Sequence, residues 1–187
     1  MRRRFLIIFI ALLMSGCIPK REAMHIYSLS ITSSHKASTK SNLTLKMNYP
    51  TALNGVGGSR IYYSDNSRVG YYLYSRWSSS LNRMLYSNIL TNLQESGRYK
   101  YVVGYSSGAK ADRELEVTIL SFNHIIEGES SQTDIKIDVK LIDSKSGRVI
   151  KQKRFHYTTP LEAKSAAAFV KGAKEDMARF IDELIEF

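Results

Sequence analysis

The sequence has a single cysteine and only three prolines among its 187 residues. One cysteine excludes an internal disulfide, and it leaves no paired cysteine and histidine spacing for a structural zinc site. The four histidines are scattered, without the short spacings that metal sites use. We therefore predict no metal site and a domain held together by packing alone.

The amino-terminal segment has the features of an export signal. Three arginines precede the ten-residue apolar run Phe5–Met14, which is too short to cross a bilayer as a stable helix. A basic start followed by a short apolar segment is typical of a secretory signal that is removed. Ser15 and Gly16 then lead to Cys17, which is where the bacterial lipobox places its acylated cysteine. We expect residues 1–16 to be cleaved.

Cys17 is the predicted lipidation site. Similarity to the lipobox implies a diacylglyceryl thioether and an acylated amino group, and these covalent acyl chains, palmitate among them, are the only cofactor that we predict. In enterobacteria an Asp after the cysteine retains the protein in the inner membrane. The residue here is Ile18, which favours the outer membrane, with the body facing the periplasm. The alternative is that Cys17 is a buried thiol near a conventional cleavage site.

We divide the chain into a signal peptide at 1–16, a lipidated tether at 17–24 and a single domain at 25–187. The tether residues after Cys17 reach about 25 Å when fully extended, so the body stays close to its membrane.

The chain is basic. Its formal net charge is +10, and removal of residues 1–16 takes away three arginines and leaves +7. A nucleic acid would be the expected partner of a basic cytosolic chain, but export removes that partner. Anionic lipid, peptidoglycan or an acidic protein surface remain, and so does a solvated basic surface without a specific partner.

Hydrophobic periodicity predicts an α+β fold with one mostly antiparallel sheet and two amphipathic helices packed on one face. Spacing by four predicts a helix of about twenty residues from Leu73 to Leu93, with Gly97 ending it. A second helix is predicted from Phe169 to Ile185. Period-two alternation and turn signals predict strands at 26–29, 43–49, 60–63, 69–72, 99–105, 115–119, 135–141 and 149–158, the last pairing antiparallel with the strand before it.

One motif match points to catalysis. The stretch Gly104–Gly108 fits the G-x-S-x-G nucleophile elbow, with Ser106 as nucleophile and His156 downstream. The elbow needs a strand, a sharp turn and then a helix, whereas a short polar link into another strand is predicted here. We therefore predict no catalytic residue.

The aromatic residues around the predicted hairpin form the candidate partner-binding site. Tyrosine and tryptophan dominate interface hot spots because they bury much area with few rotatable bonds. The alternative is that Trp77 and some tyrosines fill the core. The candidate residues are Tyr62, Tyr63, Tyr71, Tyr72 and Tyr74.

Taken in order, these segments resemble the ABC-type transport auxiliary lipoproteins, a PqiC-like family. The resemblance implies a non-enzymatic outer-membrane partner of a system in which an ABC ATPase and permease drive an MCE-type lipid-binding assembly, with phospholipid as cargo. Partners would be the MCE-type periplasmic protein and ABC transporter subunits, and a homo-oligomer is left open. The matching segments are Cys17, Ile26–Leu29, Pro50 with Leu53, Tyr74–Trp77, Leu115–Val117, Leu141–Asp143 and Ser146–Ile150.

Three other functions compete with this interpretation. A structural or assembly lipoprotein of another outer-membrane machine, LptE-like, also pairs a sheet with two helices. A surface adhesin or peptidoglycan binder would use the basic charge. A secreted lipase built on Ser106 comes last.

Overall fold

The structure, a computed structural model, describes residues 22–53 and 55–187. The predicted signal peptide, the predicted lipidation site Cys17 and the predicted tether up to residue 21 lie outside the described residues. The two helices of the described part are α1 (Leu81–Ser96) and α2 (Ala166–Glu186). Its strands are β1 (His25–Tyr27), β2 (Ser41–Met47), β3 (Thr51–Ala52), β4 (Arg60–Asp65), β5 (Arg68–Trp77), β6 (Tyr99–Gly104), β7 (Arg113–Glu127), β8 (Ser130–Asp143) and β9 (Val149–Tyr157).

The long strands β7 and β8 are the centre of the sheet. They pair antiparallel along nearly their whole length, and β9 pairs antiparallel with β8, which confirms the predicted return of the chain after the turn at Gly147. The other edge of β7 is shared by β2, β3 and β4 in succession. The sheet therefore divides into two branches, one ending in β6 and the other in β5 and β1.

The expectation of a mostly antiparallel sheet is wrong, because the sheet is mixed. Strands β2, β3 and β4 all run parallel to β7, and the pairs β1–β5 and β2–β6 are also parallel. Parallel neighbours are joined by long crossovers rather than by tight turns. Alternation within a strand shows which side chains are buried, but it carries no information about the direction of the neighbour.

Helix α1 is shorter than predicted. It begins at Leu81, and Leu73 to Trp77 belong to β5 instead. The Ser80 side chain accepts a hydrogen bond from the Arg83 amide, which satisfies an otherwise unpaired donor of the first turn. Gly97 ends the helix with a left-handed φ of 73°, as predicted, because glycine adopts this conformation without steric cost.

Both helices bury their apolar stripes on one face of the sheet. On β8, Ile135, Ile137 and Val139 are fully buried beneath α2, and their polar neighbours on the strand point to the open face. The two helices also contact each other. The large fully buried side chains include Phe169, Phe180, Leu85, Ile89, Leu45, Met47, Ile61 and Ile119.

An extended segment, residues 28–33, which we call the strap, runs from β1 along α1. Two asparagines one turn apart on α1 hold it. The Asn88 side chain accepts from the Ile31 amide at 2.7 Å and donates to the Leu29 carbonyl at 2.5 Å. The Asn92 side chain accepts from the Ser33 amide at 2.7 Å and donates to the Ile31 carbonyl at 2.9 Å. The two asparagine side chains thus give the strap backbone the hydrogen bonds that a neighbouring strand would otherwise provide.

Candidate docking surfaces

Strands β4 and β5 form the predicted hairpin. Asn66 and Ser67 make the two-residue turn, and both have positive φ, at 44° and 72°. Such a turn matches the twist of the two strands that it joins, and asparagine tolerates this conformation better than most residues. The hairpin is longer than predicted, because β5 continues to Trp77.

The hairpin tyrosines divide between its surface and its interior. Tyr71 and Tyr74 are 40% and 47% exposed, whereas Tyr62, Tyr63 and Tyr72 are half-buried. Trp77 is 2% exposed and packs edge-on against Phe122 in the core. Core filling is therefore the correct interpretation for Trp77, and the binding role of the five tyrosines stays a prediction.

A hydrogen-bonded chain connects the hairpin to the core. The Tyr72 hydroxyl lies 2.6 Å from Nδ1 of His124, and Nε2 of His124 lies 2.6 Å from the Ser131 hydroxyl. The His124 ring is fully buried and stacks on Phe169 of α2. Burial lowers the pKa of His124 to about 4 and raises the pKa of Tyr72 to about 12, the latter with help from Tyr63. Both groups are therefore neutral at physiological pH.

The other two half-buried tyrosines pack across the strands. Tyr63 lies over Gly70, where an added Cβ would come within 2.7 Å of the Tyr63 ring. On the opposite face, Tyr62 and Tyr71 are cross-strand neighbours with their rings edge-to-face, 6.4 Å between centroids. The guanidinium of Arg60 lies 4.4 Å from the Tyr71 centroid, within cation–π range. These contacts fix the rings that face solvent.

The outer edge of β5 is only partly covered. Strand β1 pairs with Ser75, Arg76 and Trp77, and the pairing ends there. Val69 and Leu73, on the uncovered part, are 76% and 67% exposed. Sequence reasoning missed these two residues, since it assigned Leu73 to the buried stripe of a helix.

A second aromatic surface lies on the helix side of the sheet and was not predicted. Tyr49, Tyr86 and Tyr105, which we call the tyrosine cluster, contact one another with centroid distances of 5.3 to 5.5 Å. The Tyr86 hydroxyl accepts a hydrogen bond from the Tyr105 amide at 3.3 Å. Together with Arg83 and Ser87 the three rings line an open depression of about 600 Å³. The three positions are distant in sequence, so no local pattern indicated the cluster.

The remaining candidates from the sequence have ordinary surroundings. A turn and an irregular link follow Ser106 and lead into β7, so the helix of a nucleophile elbow is missing between residues 104 and 113. His156 lies on β9, with Nε2 at 2.9 Å from Asp134. Residues 22–53 and 55–187 contain no group of three histidine, cysteine or acidic residues arranged to hold a metal ion. In the same part of the chain, no helix combines the length and apolar character needed to span a membrane.

Solved structures share this fold. Protein XCC0632 from Xanthomonas campestris, a DUF330 protein, is 18% identical with a TM-score of 0.78, covering 86% of this chain and 91% of its own. An uncharacterized protein is 17% identical with a TM-score of 0.68, covering 88% and 97%. The PelC dodecamer from Paraburkholderia phytofirmans is 10% identical with a TM-score of 0.50, covering 82% and 95%. At these identities the likeness shows the fold alone.

Sequence comparison identifies the family. No curated protein matches the chain significantly. The model of the ABC-type transport auxiliary lipoprotein component matches residues 27–184, which is nearly all of the described body. The chain therefore belongs to the family of ABC-type transport auxiliary lipoprotein components.

Proposed function

We propose that the chain is a non-enzymatic, lipid-anchored component of an ABC transport system that moves phospholipid between membranes through an MCE-type periplasmic assembly. The extent of the family match carries this proposal. It covers residues 27–184, hence both helices and nearly the whole sheet, and it leaves Cys17 in the segment ahead of it.

The parts of the chain indicate which steps of transport this protein would perform and which belong to other subunits. Cys17 would carry the acyl chains in the outer membrane, and the short tether would keep the body beside that membrane. The sequence has no P-loop, so the ATPase activity belongs to other subunits. The task left to this body is to hold the outer end of the assembly at the membrane.

We assign the tyrosine cluster to the periplasmic assembly. Tyr49 and Tyr105 are 38% and 50% exposed, and a rigid, half-exposed aromatic group beside an arginine is the composition of an interface hot spot. Tyr49 lies one residue after Asn48, whose amide bonds to Leu115 near the start of β7. The hairpin turn lies beside Ile126, near the other end of the same strand. About eleven residues of strand, roughly 36 Å, separate the two surfaces, so both are free to be occupied at once.

Photocrosslinking in cells tests this assignment. A crosslinking residue at position 105 should capture the MCE-type protein, and one at the exposed turn residue Lys145 should not. Tyr49→Ala should weaken the capture from position 105, while Tyr101→Ala, which removes an exposed tyrosine outside the cluster, should leave it unchanged. Capture of only an outer-membrane barrel protein would contradict the proposal and favour the LptE-like alternative.

The anchor has its own test. Labelled palmitate should be incorporated into the protein, and Cys17→Ser should abolish labelling and release the body from membranes. Unchanged fractionation of Cys17→Ser would contradict the anchor. If the protein is not a hydrolase, Ser106→Ala should leave the transport phenotype unchanged.

A further inference from the structure

The exposed apolar residues of this body are concentrated where the tether leaves it. Half of the large hydrophobic residues exposed in the described chain lie on or beside the outer edge of β1 and β5. We call this surface the β1–β5 edge. Its apolar members are Met24, Ile26, Val69, Tyr71, Leu73 and Tyr74.

The direction of β1 leads the chain toward this edge. Strand β1 is parallel to β5, with His25 beside Ser75, so the chain upstream of His25 heads toward the uncovered part of β5. Tyr62 lies beside Asn123 on β7, and the far end of the sheet, at Arg113, is about ten residues or 33 Å away. Eight tether residues span at most about 29 Å, too short to turn back and pass that end.

The composition of the edge fits a lipid interface. Tyrosine rings prefer the boundary between headgroups and acyl chains, and valine and leucine add apolar area there. Three exposed arginines, Arg60, Arg68 and Arg76, lie on the same hairpin. Arg60 and Arg76 are direct cross-strand neighbours. No described acidic side chain forms an ion pair with either one. Like charges at paired strand positions are unfavourable, and an anion such as a lipid phosphate bound beside them would offset that cost.

The opposite edge of the sheet shows how an edge is protected when water covers it. Strand β9 also exposes Val149 and Ile150, but Lys151, Lys153 and Arg154 follow them, and such charges oppose edge-to-edge association. The uncovered part of β5 has one charged residue, Arg68 beside the turn, and none from Val69 to Tyr74. The segment from Val69 to Tyr74 would therefore expose apolar side chains to water and leave its backbone free to pair with another strand, unless a partner surface covers it.

We propose that the β1–β5 edge is a membrane-contact surface, which lies on the phospholipid leaflet that holds the acyl chains of Cys17. This inference rests on the anchor of the proposed function. The acyl chains hold the protein at the membrane, while the edge sets its orientation. The tyrosine cluster is thereby left free to face the periplasm.

Probe depth in vesicles tests the proposal. The acylated mature chain, residues 17–187, carries Val69→Cys labelled with an environment-sensitive fluorophore and is reconstituted in phosphatidylethanolamine and phosphatidylglycerol vesicles. Ser146→Cys, in the exposed turn at the far end, is the matched control. The probe at 69 should shift to the blue and be quenched by lipids brominated near the headgroup, about threefold more than the probe at 146, because interfacial groups lie about 5–10 Å into the boundary.

Each outcome has a definite meaning. Failure of the chain to float with the vesicles overturns the anchor and this inference together. Flotation with a water-exposed probe at 69 overturns the inference alone and leaves the proposed function intact. If position 69 is shielded only at high protein density, the edge contacts a second copy of the chain. If it is shielded only after the MCE-type protein is added, the edge contacts that partner. Either result overturns the inference.

The arginine pair gives an independent test. Arg60→Gln with Arg76→Gln should weaken quenching at position 69 in vesicles rich in phosphatidylglycerol and reduce its dependence on that lipid, because each Arg near an anionic surface strengthens binding about fivefold. Lys110→Gln with Lys145→Gln removes the same charge elsewhere and should leave the quenching unchanged. Equal effects of the two double variants would contradict a phosphate contact at the edge.

Discussion

The two halves of strand β5 differ in what lies against their outer edge. Beside β1, Ser75 and Trp77 are 9% and 2% exposed, whereas Val69 and Leu73 on the uncovered half are mostly exposed. Each half carries a large apolar side chain, Trp77 in one and Leu73 in the other, so side-chain type alone does not decide burial here. Packing decides it: the Trp77 ring lies against Phe122 and Phe169 in the core, whereas Val69 and Leu73 lie outside that contact. An exposed apolar stretch of this kind is typical of a surface that another molecule covers.

Removal of the large side chain in the covered half should give the largest effect. Trp77→Ala leaves a cavity against Phe122 and should lower the free energy of unfolding by about 3–5 kcal/mol. Leu73→Ala, four residues earlier in the same strand, should change it by less than about 0.5 kcal/mol. Urea unfolding of the two variants measures both values, and similar losses would refute the difference between the halves.

Acid should weaken the link between the hairpin and the core. Above pH 6.5 the His124 ring is neutral in both the unfolded and the folded chain. Below it the unfolded chain binds a proton, but the folded chain does not until its pKa of about 4. Stability should therefore be fully present above pH 6.5 and fall by up to about 3 kcal/mol as pH drops to 4. Unfolding at several pH values measures this, and His124→Gln should lack that part of the slope.

The smallest effect concerns the hydroxyl that joins the two regions. Tyr72→Phe removes its hydrogen bond to His124 and should lower stability by about 1 kcal/mol, since the imidazole nitrogen is left unpaired in the interior. Tyr62→Phe is the matched control on the partner strand and should change the free energy of unfolding by only a few tenths of a kcal/mol. Hydrogen exchange of the β5 amides should increase in the first variant alone.

Much of the fold could be predicted because its signals are local. The alternation in β8, the turn at Gly147 and the left-handed Gly97 each depend on a few adjacent residues. The start of α1 was wrong because Leu73 and Trp77 are four apart, a spacing that a helix and a strand–loop–helix segment both allow. Ser80, which caps the helix, was the signal that distinguishes a helix beginning at Leu81 from one beginning at Leu73.

Strand direction and the second aromatic surface could not be predicted by the same reasoning. Parallel pairing of β4 with β7 joins residues about sixty apart, and no local pattern specifies it. Tyr49, Tyr86 and Tyr105 meet because β2 pairs with β6 and α1 packs on β6, which brings together the segment after β2, the helix and the loop after β6. The hairpin tyrosines could be proposed from the sequence because they lie near one another along the chain, and their binding role stays a prediction.

The strap has a consequence for mechanical load. If Cys17 carries the proposed acyl chains, a pull on them would reach the body through β1 and then through the two asparagine amides that hold residues 28–33 to α1. Because β1 runs alongside β5, tension along its axis loads several hydrogen bonds at once rather than one after another. An extraction force on the lipid would thus be shared across the body, and the tether would straighten before the sheet opens.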